Sequence, residues 1–360
     1  MRFIHIADCH LGGWRDPTMR ELNRQAFSQV ITGCNVDFVL ISGDLFNTAV
    51  PTLDTLKFVF SSFQQLKQKG IPVYLIPGSH DYSPTGKTML DLLDVSGLAY
   101  NVAEKHAWHE DVLIAGIQGL RGSLEKDLFS SFESLDAKQK IFMFHSGLAE
   151  FHDFSELSVK DLPGEFMYYA GGHIHQPGEF EEDGKKIVFP GPLFPNNFKE
   201  LELLQGGGYY LYEDGKTSFV PVNVCKVHPL MIDCEGLEAE EIEEEVCKEG
   251  DFSDTVVTLR LFGGMKGKTS EINYKKIYAH FYSRNALFVM KNTSKLASER
   301  LDEGQKEASV PEIEKGLIGE NYEFVKSMMQ ILSAERGDMK VNDFEEKIAS
   351  ELDSLMKSFK

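Results

Sequence analysis

Residues 2–13 of this 360-residue chain read RFIHIADCHLGG, an apolar run typical of a buried strand, followed by an aspartate, a histidine and two glycines. Four later segments follow the same design, with histidine or aspartate placed among turn residues at the end of an apolar run. They read ISGDLFN at 41–47, PGSHDYS at 77–83, FMFHSGL at 142–148 and YAGGHIHQPG at 169–178. Because α/β proteins build their sites in the loops at strand ends, we expect the five segments to meet.

The five segments place nine polar side chains at predicted strand ends. They are Asp8, His10, Asp44, Ser79, His80, Asp81, His145, His173 and His175. If the strands continue through them, Asp8 and His10 point to the same side, because side chains alternate along a strand, and His173 and His175 do so too. Carboxylates and imidazoles without a thiolate favour Mn²⁺, Fe²⁺ or Zn²⁺. We therefore predict a two-metal phosphoesterase site rather than turn chemistry alone.

The sequence also suggests separate roles within this set. Asp44 lies between the other candidates along the chain and is the natural carboxylate to bridge two metals. Asp81 follows His80 directly, and a carboxylate beside an imidazole fixes its tautomer and raises its pKa. We therefore assign His80 and Asp81 to catalysis at the phosphate or leaving group. His5, alone in the first strand, is interpreted as a packed core histidine.

The composition limits the classes of protein that the chain could be. The hydrophobic content of 42% fits a globular protein with a sizeable core. The net charge of −19 argues against DNA binding by overall charge, although a local basic groove and metal ions can still hold phosphate. Five cysteines without CxxC spacing indicate a reduced, cytoplasmic location. We find neither a signal peptide nor a run of the roughly 20 apolar residues that a membrane span needs.

Strands and helices alternate through residues 1–224, which predicts an α/β fold built as a two-sheet sandwich flanked by helices. We expect one helix to start at Pro17 after an Asp16 cap, a second to run from about Pro51 to Lys69, and a third around Lys87 to Asp94. Residues 225–298 are expected to form a small α/β domain. The acidic run at 235–251 predicts a solvated helix face within it.

The end of the chain predicts a polar linker at 299–319 and two helices at 320–360. The expected apolar stripe of the first consists of Val325, Met328, Met329 and Leu332. The second is expected to start at an Asn342 cap with Glu345 three residues later. Its stripe consists of Phe344, Ile348, Leu352, Leu355 and Phe359.

The order of the five segments resembles the calcineurin-like metallophosphoesterase superfamily. GDLF at 43–46, GSHD at 78–81 and GGHIH at 171–175 are more closely similar to the meiotic-recombination-eleven (SbcD-like) DNA double-strand-break repair nucleases, in their archaeal or prokaryotic form. A small domain after the catalytic part and a tethered helical end agree with the layout of that family. The resemblance covers nearly the whole chain and is specific in residues 1–200.

This resemblance implies a DNA exonuclease or endonuclease that uses two divalent metal ions, with Mn²⁺ as the expected metal. The first metal would be held by Asp8, His10, Asp44 and His175. The second would be held by Asp44, Ser79, His145 and His173. His80 would assist at the phosphate, and residues 225–298 would form a cap that contacts DNA.

The resemblance also implies partners. The helices at 320–360 would dock on the coiled coil of an SMC-like (SbcC-like) ATPase, and no membrane would be involved. A homodimer would form through the helices after the second and third strands. The apolar residues expected there are Leu53, Leu56, Val59, Phe63, Met89, Leu90 and Leu93.

Two positions depart from the pattern of the family. The usual asparagine of GNHD is Ser79, whose shorter hydroxyl arm would leave the second metal weakly bound or bound through water. The histidine that often follows GDLF is Asn47, which cannot act as a general acid or base near neutral pH. The balance between exonuclease and endonuclease activity therefore stays open.

Two other functions remain open. A small-molecule phosphodiesterase or phosphoprotein phosphatase of the same superfamily would share the five segments, but it would need neither a cap nor terminal helices. A scaffold with a degraded site would be supported only by Ser79 and Asn47. Activity on a simple nitrophenyl diester but not on DNA would favour the first, and failure to bind two metals would favour the second.

Overall fold

Residues 1–299 and 300–360 form two separate units in the computed structural model of the chain. The structure describes all residues except 84–86, 104, 120–124, 131, 133–135, 152–154, 156, 249, 299–321, 334–340 and 359–360. The linker expected at 299–319 therefore lies outside the described residues. Among the helices of the described part, none has the length and apolar character needed to span a bilayer.

The first sheet of the larger unit has six strands. They are β1 (Arg2–Ile6), β2 (Phe38–Ser42), β3 (Val73–Ile76), β4 (Tyr100–Asn101), β11 (Gly207–Glu213) and β12 (Lys216–Val222). Their order is β12-β11-β1-β2-β3-β4. Strands β1 to β4 are parallel to one another, so their carboxyl ends share one edge of the sheet.

The second sheet also has six strands. They are β5 (Ala107–His109), β6 (Val112–Gly116), β7 (Gln139–His145), β8 (Tyr168–Gly172), β9 (Gly178–Glu182) and β10 (Lys185–Phe189). Their order is β5-β6-β7-β8-β10-β9, and the central strands β6, β7, β8 and β10 are parallel.

Aromatic side chains fill the space between the inner faces of the two sheets. The Phe3 ring stacks on Phe38 at 4.9 Å and on Tyr212 at 4.5 Å, and it meets Tyr168 of the second sheet edge-on at 5.2 Å. His5 is fully buried, with Nδ1 3.1 Å from the Tyr168 hydroxyl. The interpretation of His5 as a core histidine is confirmed.

Helices cover the outer faces of both sheets. They are α1 (Pro17–Gly33), α2 (Leu53–Gln68), α3 (Leu90–Val95), α4 (Glu125–Ser130) and α5 (Phe198–Leu204), with a short 3₁₀ helix at Val159–Asp161. Asp16 caps α1 by accepting from the N–H of Thr18 and Met19, as predicted. The next two helices begin slightly later than predicted, and α2 is capped by Thr52. The predicted sandwich flanked by helices is confirmed.

Residues 226–298 add a three-stranded parallel sheet with its own apolar core. Its elements are β13 (Lys226–Asp233), α6 (Ala239–Val246), β14 (Thr255–Met265), a 3₁₀ helix at Thr269–Glu271, α7 (Tyr274–Tyr282) and β15 (Phe288–Ser298). The acidic helix α6 buries Ile242 and Val246 and exposes most of its glutamates, because only one face meets the sheet. The exception is Glu243, which is buried and pairs with Lys276 at 2.9 Å. That residues 225–298 act as a separate domain stays a prediction.

The helices expected at a dimer interface use most of their predicted apolar stripe for the core of the subunit. Val59 and Phe63 on α2, and Leu90 and Leu93 on α3, are fully buried. The first sheet covers these four side chains, and dimerisation through the two helices stays a prediction. Apolar side chains that are exposed on or beside these helices are Val50, Leu53, Leu92, Val95 and Tyr100.

The smaller unit contains α8 (Tyr322–Leu332) and α9 (Val341–Ser358), which pack against each other. The described part of α9 starts at Val341, so Asn342 lies within the helix and the predicted cap position is wrong. On α8, Val325 and Met328 are half-buried while Met329 and Leu332 are exposed, so part of the predicted apolar stripe is uncovered. Phe359 lies outside the described residues.

Candidate metal centre

The nine candidate residues lie at or directly beyond the carboxyl ends of five parallel strands. Asp8 and His10 follow β1, Asp44 follows β2, and Ser79 to Asp81 follow β3 in the first sheet. His145 ends β7 and His173 and His175 follow β8 in the second sheet. Since β2 and β3 face β7 and β8 across the sandwich, these strand ends meet at one edge of the fold.

The local backbone differs from the extended one that the sequence suggested. Strand β1 ends at Ile6 and β8 ends at Gly172, so the candidates lie in loops and the argument from side-chain alternation is wrong. Asp8, His10 and Asp44 adopt left-handed φ angles of 51°, 42° and 50°. These turns, rather than strand pleating, direct the side chains into one site.

Backbone pairing holds two of these loops side by side. The Asp8 N–H donates to the Gly43 carbonyl at 3.1 Å, and the His10 N–H donates to the Asp44 carbonyl at 2.9 Å. The parallel register of β1 and β2 thus continues beyond the strands. It fixes the spacing between the carboxylates of Asp8 and Asp44.

Asp8, His10 and His175 form one group of potential ligands, in which Asp8 and His10 are buried and His175 is half-buried. The Nε2 atoms of His10 and His175 are 3.4 Å apart, and His175 Nε2 is 3.6 Å from Asp8 Oδ1. The ligand atoms of these three residues all lie within 4.8 Å of one another. The Asp8 carboxylate is held in place by the His173 N–H, which donates to both of its oxygens at 3.1 and 3.2 Å.

Asp44 and His145 form a second group with Asp8. His145 Nδ1 donates to the Ser42 carbonyl at 2.8 Å, which leaves Nε2 facing the site, 3.3 Å from Asp44 Oδ2. That Nε2 has no hydrogen-bond partner within the described part of the chain. Asp44 Oδ2 also lies 3.7 Å from His10 Nε2, so this oxygen is close to histidines of both groups.

Ser79 and His80 contact Asp44 from the third strand of the first sheet. The Ser79 hydroxyl donates to Asp44 Oδ2 at 3.4 Å, and the His80 N–H donates to Oδ1 at 2.8 Å. His80 Nδ1 donates to the Asn47 carbonyl at 2.8 Å, and its ring meets the His10 ring edge-on at 4.7 Å. His10, Asp44 and His80 together form a third group of potential ligands.

Asp81 does not contact the His80 ring, contrary to the sequence-based hypothesis. Its buried carboxylate accepts from the backbone N–H groups of Leu45, Phe46 and Gly78 at 2.9 to 3.2 Å. Because these groups belong to the loops after β2 and β3, Asp81 ties the two loops together. The tautomer of His80 is set instead by the Asn47 carbonyl.

His173 is the least enclosed of the candidates. Its ring is exposed and lies 5.4 Å from the ring of His145, nearly perpendicular to it. The structure therefore places His173 at the rim of the site, on the side of His145. It is not within any of the three close groups of potential ligands.

The charges of this edge favour cations. Burial acts to raise the pKa of Asp8 and Asp44, but His175 and His145 lower both pKa values below the ordinary range. Burial likewise acts to lower the pKa of His145 and His175, but their carboxylate neighbours raise each pKa to about 10. A divalent metal would stabilise the charged carboxylates of Asp8 and Asp44 in the same way as the protonated histidines do.

Burial dominates at three other groups. It lowers the pKa of His10 to about 4, and at His173, which is more exposed, the desolvation of the ring and the positive charge of His145 together lower the pKa to about 4, so both rings are neutral near pH 7 and can offer a lone pair. Burial, helped by the charge of Asp44, raises the pKa of Asp81 to about 7. A histidine must be neutral to bind a metal, and His10 and His173 already are.

Glu200, which was not among the candidates predicted from the sequence, contacts the site from α5. His175 Nδ1 donates to Glu200 Oε1 at 2.9 Å, and the Asn196 N–H donates to Oε2 at 2.8 Å. A carboxylate that accepts from the outer nitrogen of a histidine fixes the tautomer that leaves Nε2 free. The signal available in the sequence was only NNFKE at 196–200, which resembles an ordinary helix start.

The side chains fit divalent metals. His80, His145 and His175 each have Nδ1 bound to a carbonyl or carboxylate, so that Nε2 is the nitrogen left to bind a metal or substrate. The nearby thiol of Cys9 is buried with its sulfur toward the Ala7 carbonyl, and burial raises its pKa. Imidazole and carboxylate ligands without thiolate suit Mn²⁺, Fe²⁺ or Zn²⁺.

Comparison with known proteins agrees with this geometry. Residues 1–177 match the calcineurin-like phosphoesterase family. Proteins named DNA double-strand break repair protein Mre11 are similar over most of the chain. The Methanococcus maripaludis protein is 27% identical over 74% of this chain and 76% of its own length. The Archaeoglobus fulgidus protein is 28% identical over 66% of this chain and 63% of its own length. The Thermoplasma acidophilum protein is 29% identical over 63% of this chain and 66% of its own length.

The matches thus span somewhat less than two thirds of the Archaeoglobus and Thermoplasma relatives and about three quarters of the Methanococcus one. The family match over residues 1–177 includes all nine candidate residues at the joined edge of the two sheets. The chain is thus similar to the calcineurin-like phosphoesterase family over residues 1–177 and to Mre11 proteins over most of its length.

Proposed function

We propose that this protein is a two-metal-dependent DNA nuclease that processes DNA ends in double-strand-break repair. The observation that carries the proposal is the cluster of Asp8, Asp44 and inward-facing imidazole nitrogens at one edge of the sandwich. Such a cluster suits phosphoester hydrolysis. The names of the Mre11 relatives support DNA as the phosphodiester and strand-break repair as the setting.

Two metal ions would be held by the candidate residues, with Mn²⁺ as the proposed metal. The first would use Asp8, His10, Asp44 and His175, and the second Asp44, Ser79, His145 and His173. Asp44 suits the bridging position because its Oδ2 is near both His10 and His145. When bound, such a pair supplies an activated water and stabilises charge on the phosphate oxygens.

His80 is proposed to act on the phosphate or the leaving oxygen. Its Nδ1–H is engaged by the Asn47 carbonyl, so its Nε2 is the nitrogen available to substrate. A protonated Nε2 would donate its proton to the oxygen that leaves when the P–O bond breaks. Asp81 would position the loops that carry His80 and Asp44, through its three backbone hydrogen bonds.

The three-stranded sheet region is proposed to contact the DNA backbone. The segment 255–298 is rich in lysine, in contrast to the acidic α6 before it. Exposed lysines there are Lys266, Lys268, Lys275, Lys291 and Lys295. A local basic surface of this kind allows an acidic protein to bind the phosphates of DNA. This binding would weaken as the salt concentration rises.

The remaining partners are proposed from the family. Helices α8 and α9 would dock on the coiled coil of an SMC-like ATPase, and the protein would work as a homodimer. A DNA substrate also agrees with the reduced state of the five cysteines, which are all free thiols, and with a cytoplasmic location.

A cleavage assay on linear and hairpin DNA, with Mn²⁺ compared with Mg²⁺, tests the proposal. We expect cleavage in Mn²⁺, little in Mg²⁺, and none by the Asp44→Ala variant. Glu245→Gln, an exposed change on α6 remote from the site, is the matched control and should cleave normally.

Two results would contradict the proposal. Hydrolysis of a nitrophenyl diester without any cleavage of DNA would indicate a small-molecule phosphodiesterase. Absence of metal binding by the wild-type protein in calorimetry would indicate a scaffold rather than an enzyme.

A further inference from the structure

Helix α5 lies between the candidate metal centre and the three-stranded sheet, and contacts both through glutamates two residues apart. Glu200 accepts from His175 Nδ1 at 2.9 Å on one side. Glu202 accepts from Arg260 of β14 on the other. Residues at positions i and i+2 of a helix point in nearly opposite directions, so one short helix connects the two regions.

The contact with β14 is enclosed and specific. Arg260 Nε lies 2.9 and 3.1 Å from the two oxygens of Glu202, and a second guanidinium nitrogen also donates to that carboxylate. The Glu202 side chain is 8% exposed, and the guanidinium lies over the Phe198 ring at 5.1 Å. An arginine that binds a carboxylate through two nitrogens and stacks on an aromatic ring fixes both the orientation of the carboxylate and its distance.

Apolar packing makes α5 a rigid connection. Leu201 is fully buried and belongs to the same core cluster as Val256 of β14 and Leu193 before the helix. Asn197 caps the helix by accepting from the Glu200 N–H at 3.0 Å. A displacement of β14 would therefore move α5, and with it the carboxylate that orients His175.

We propose that Glu200 is a positioning residue for His175, and that α5 couples the metal affinity of the site to the three-stranded sheet through the Glu202–Arg260 pair. The inference rests on the proposed function, since it assumes that His175 binds a metal. It gives the lysine-rich sheet region a second role. DNA that shifts this region would change the ligand geometry at the metal, without touching the site.

Calorimetric titration of the full-length protein with Mn²⁺ alone tests the first part. Glu200→Ala removes the acceptor for His175 Nδ1–H, and we expect about 10–100-fold weaker binding at the site that contains His175. Glu200→Gln keeps an oxygen acceptor and should restore most of that loss. A residue that only stabilised the fold would show no such rescue of affinity.

The coupling is tested with Arg260→Met, and with Arg260→Lys in case the methionine variant does not fold. We expect Mn²⁺ affinity to fall about two- to thirtyfold, the range of coupling through packed elements. Lys276→Met is the control, because it breaks an ion pair within the same sheet region that does not touch α5. It should lower the melting temperature without changing Mn²⁺ affinity. In the Glu200→Ala background, Arg260→Met should weaken Mn²⁺ binding by less than it does alone.

The outcomes separate this inference from the proposed function. A wild-type protein that binds no Mn²⁺ overturns the proposed function itself. Wild-type binding that is unchanged by Glu200→Ala overturns the positioning role. Loss of stability in Arg260→Met without loss of Mn²⁺ affinity, or effects of the two substitutions that simply add, overturns the coupling.

Discussion

At the residue scale, the site stores backbone strain where ligands are proposed. Asp8, His10, Asp44 and His173 all have φ between 42° and 83°. A left-handed conformation at a residue other than glycine costs about 1–3 kcal/mol and persists where the surroundings enforce it. Because four such residues lie at one edge of the fold, we infer that the backbone there directs these side chains into the site at the expense of stability.

Asp44 and His175 should differ in what their loss does to metal binding. Asp44 Oδ2 is near histidines of both groups, so Asp44→Ala should abolish both sites. His175 contacts only Asp8 and His10 among the proposed ligands, so His175→Ala should mainly empty the first site. Calorimetric titration with Mn²⁺ measures both effects. Equal, partial losses from the two substitutions would show that Asp44 does not bridge.

Ser79 should make the second site the weaker one. Its hydroxyl donates to Asp44 Oδ2 and has a shorter reach than an asparagine carbonyl. Ser79→Asn should lower the Mn²⁺ concentration for half-maximal cleavage, by tenfold if the added oxygen ligand contributes about 1.4 kcal/mol. Ser79→Ala is the control and should not improve binding. No difference between Ser79→Asn and the wild type would mean that another group already supplies this ligand.

His5 should make the fold sensitive to mild acid. Burial lowers its pKa from 6.5 to about 3, so the unfolded chain binds a proton that the folded chain excludes. Stability from this source is complete above pH 6.5 and is lost as the pH falls toward 3. Between pH 7.5 and 5.5 the wild type should lose about 1.4 kcal/mol more than His5→Gln. Urea unfolding with EDTA at both pH values measures this difference, and parallel losses in the two proteins would contradict it.

The sequence identified which residue types would gather at the site, because metal-type side chains at five strand ends are rarely placed there by turn chemistry. It could not identify the groups that orient them. The acceptors for His145 and His80 are backbone carbonyls of Ser42 and Asn47, which carry no side-chain signal. Glu200 lies 25 residues after His175, and only the folding of the chain into α5 brings the two side chains together.

At the element scale, the periodicity of α2 and α3 identified apolar faces but not what covers them. A stripe that packs on a sheet and a stripe that packs on a second subunit have the same spacing, and here Val59 and Leu93 belong to the core. Similarly, nothing local in the sequence distinguishes Asn342 as a cap from Asn342 as a residue within α9. Tertiary packing decides both cases.

The exposed apolar residues of α2 and α3 should carry the proposed dimer. Leu53 is 78% exposed and Val95 is 87% exposed. Replacing both with glutamate should convert a dimer into a monomer, because unpaired charges in an interface core are strongly unfavourable. Light scattering after gel filtration measures the mass. A double variant that stays dimeric, or a wild type that is monomeric at micromolar concentration, would contradict this use of the two helices.

At the scale of the whole molecule, the chain separates a large unit with several apolar cores from a small pair of helices. Residues 1–299 contain the sandwich and the three-stranded sheet, each with a buried core. Among the described residues of the smaller unit, α8 and α9 pack against each other. Two short helices bury little apolar surface alone, so much of their stability should come from a further surface.

Truncation after Leu301 should therefore separate catalysis from assembly. The proposed docking residues on α9 are Phe344, Ile348, Leu352 and Leu355, all half-buried within the described helices. The truncated protein should keep Mn²⁺ binding and Mn²⁺-dependent cleavage, because every proposed ligand lies in the larger unit. It should lose co-purification with the SMC-like ATPase and any stimulation of cleavage by ATP. If the truncated protein unfolds, the helices serve as core of the catalytic unit; if it still binds the ATPase fully, docking occurs elsewhere.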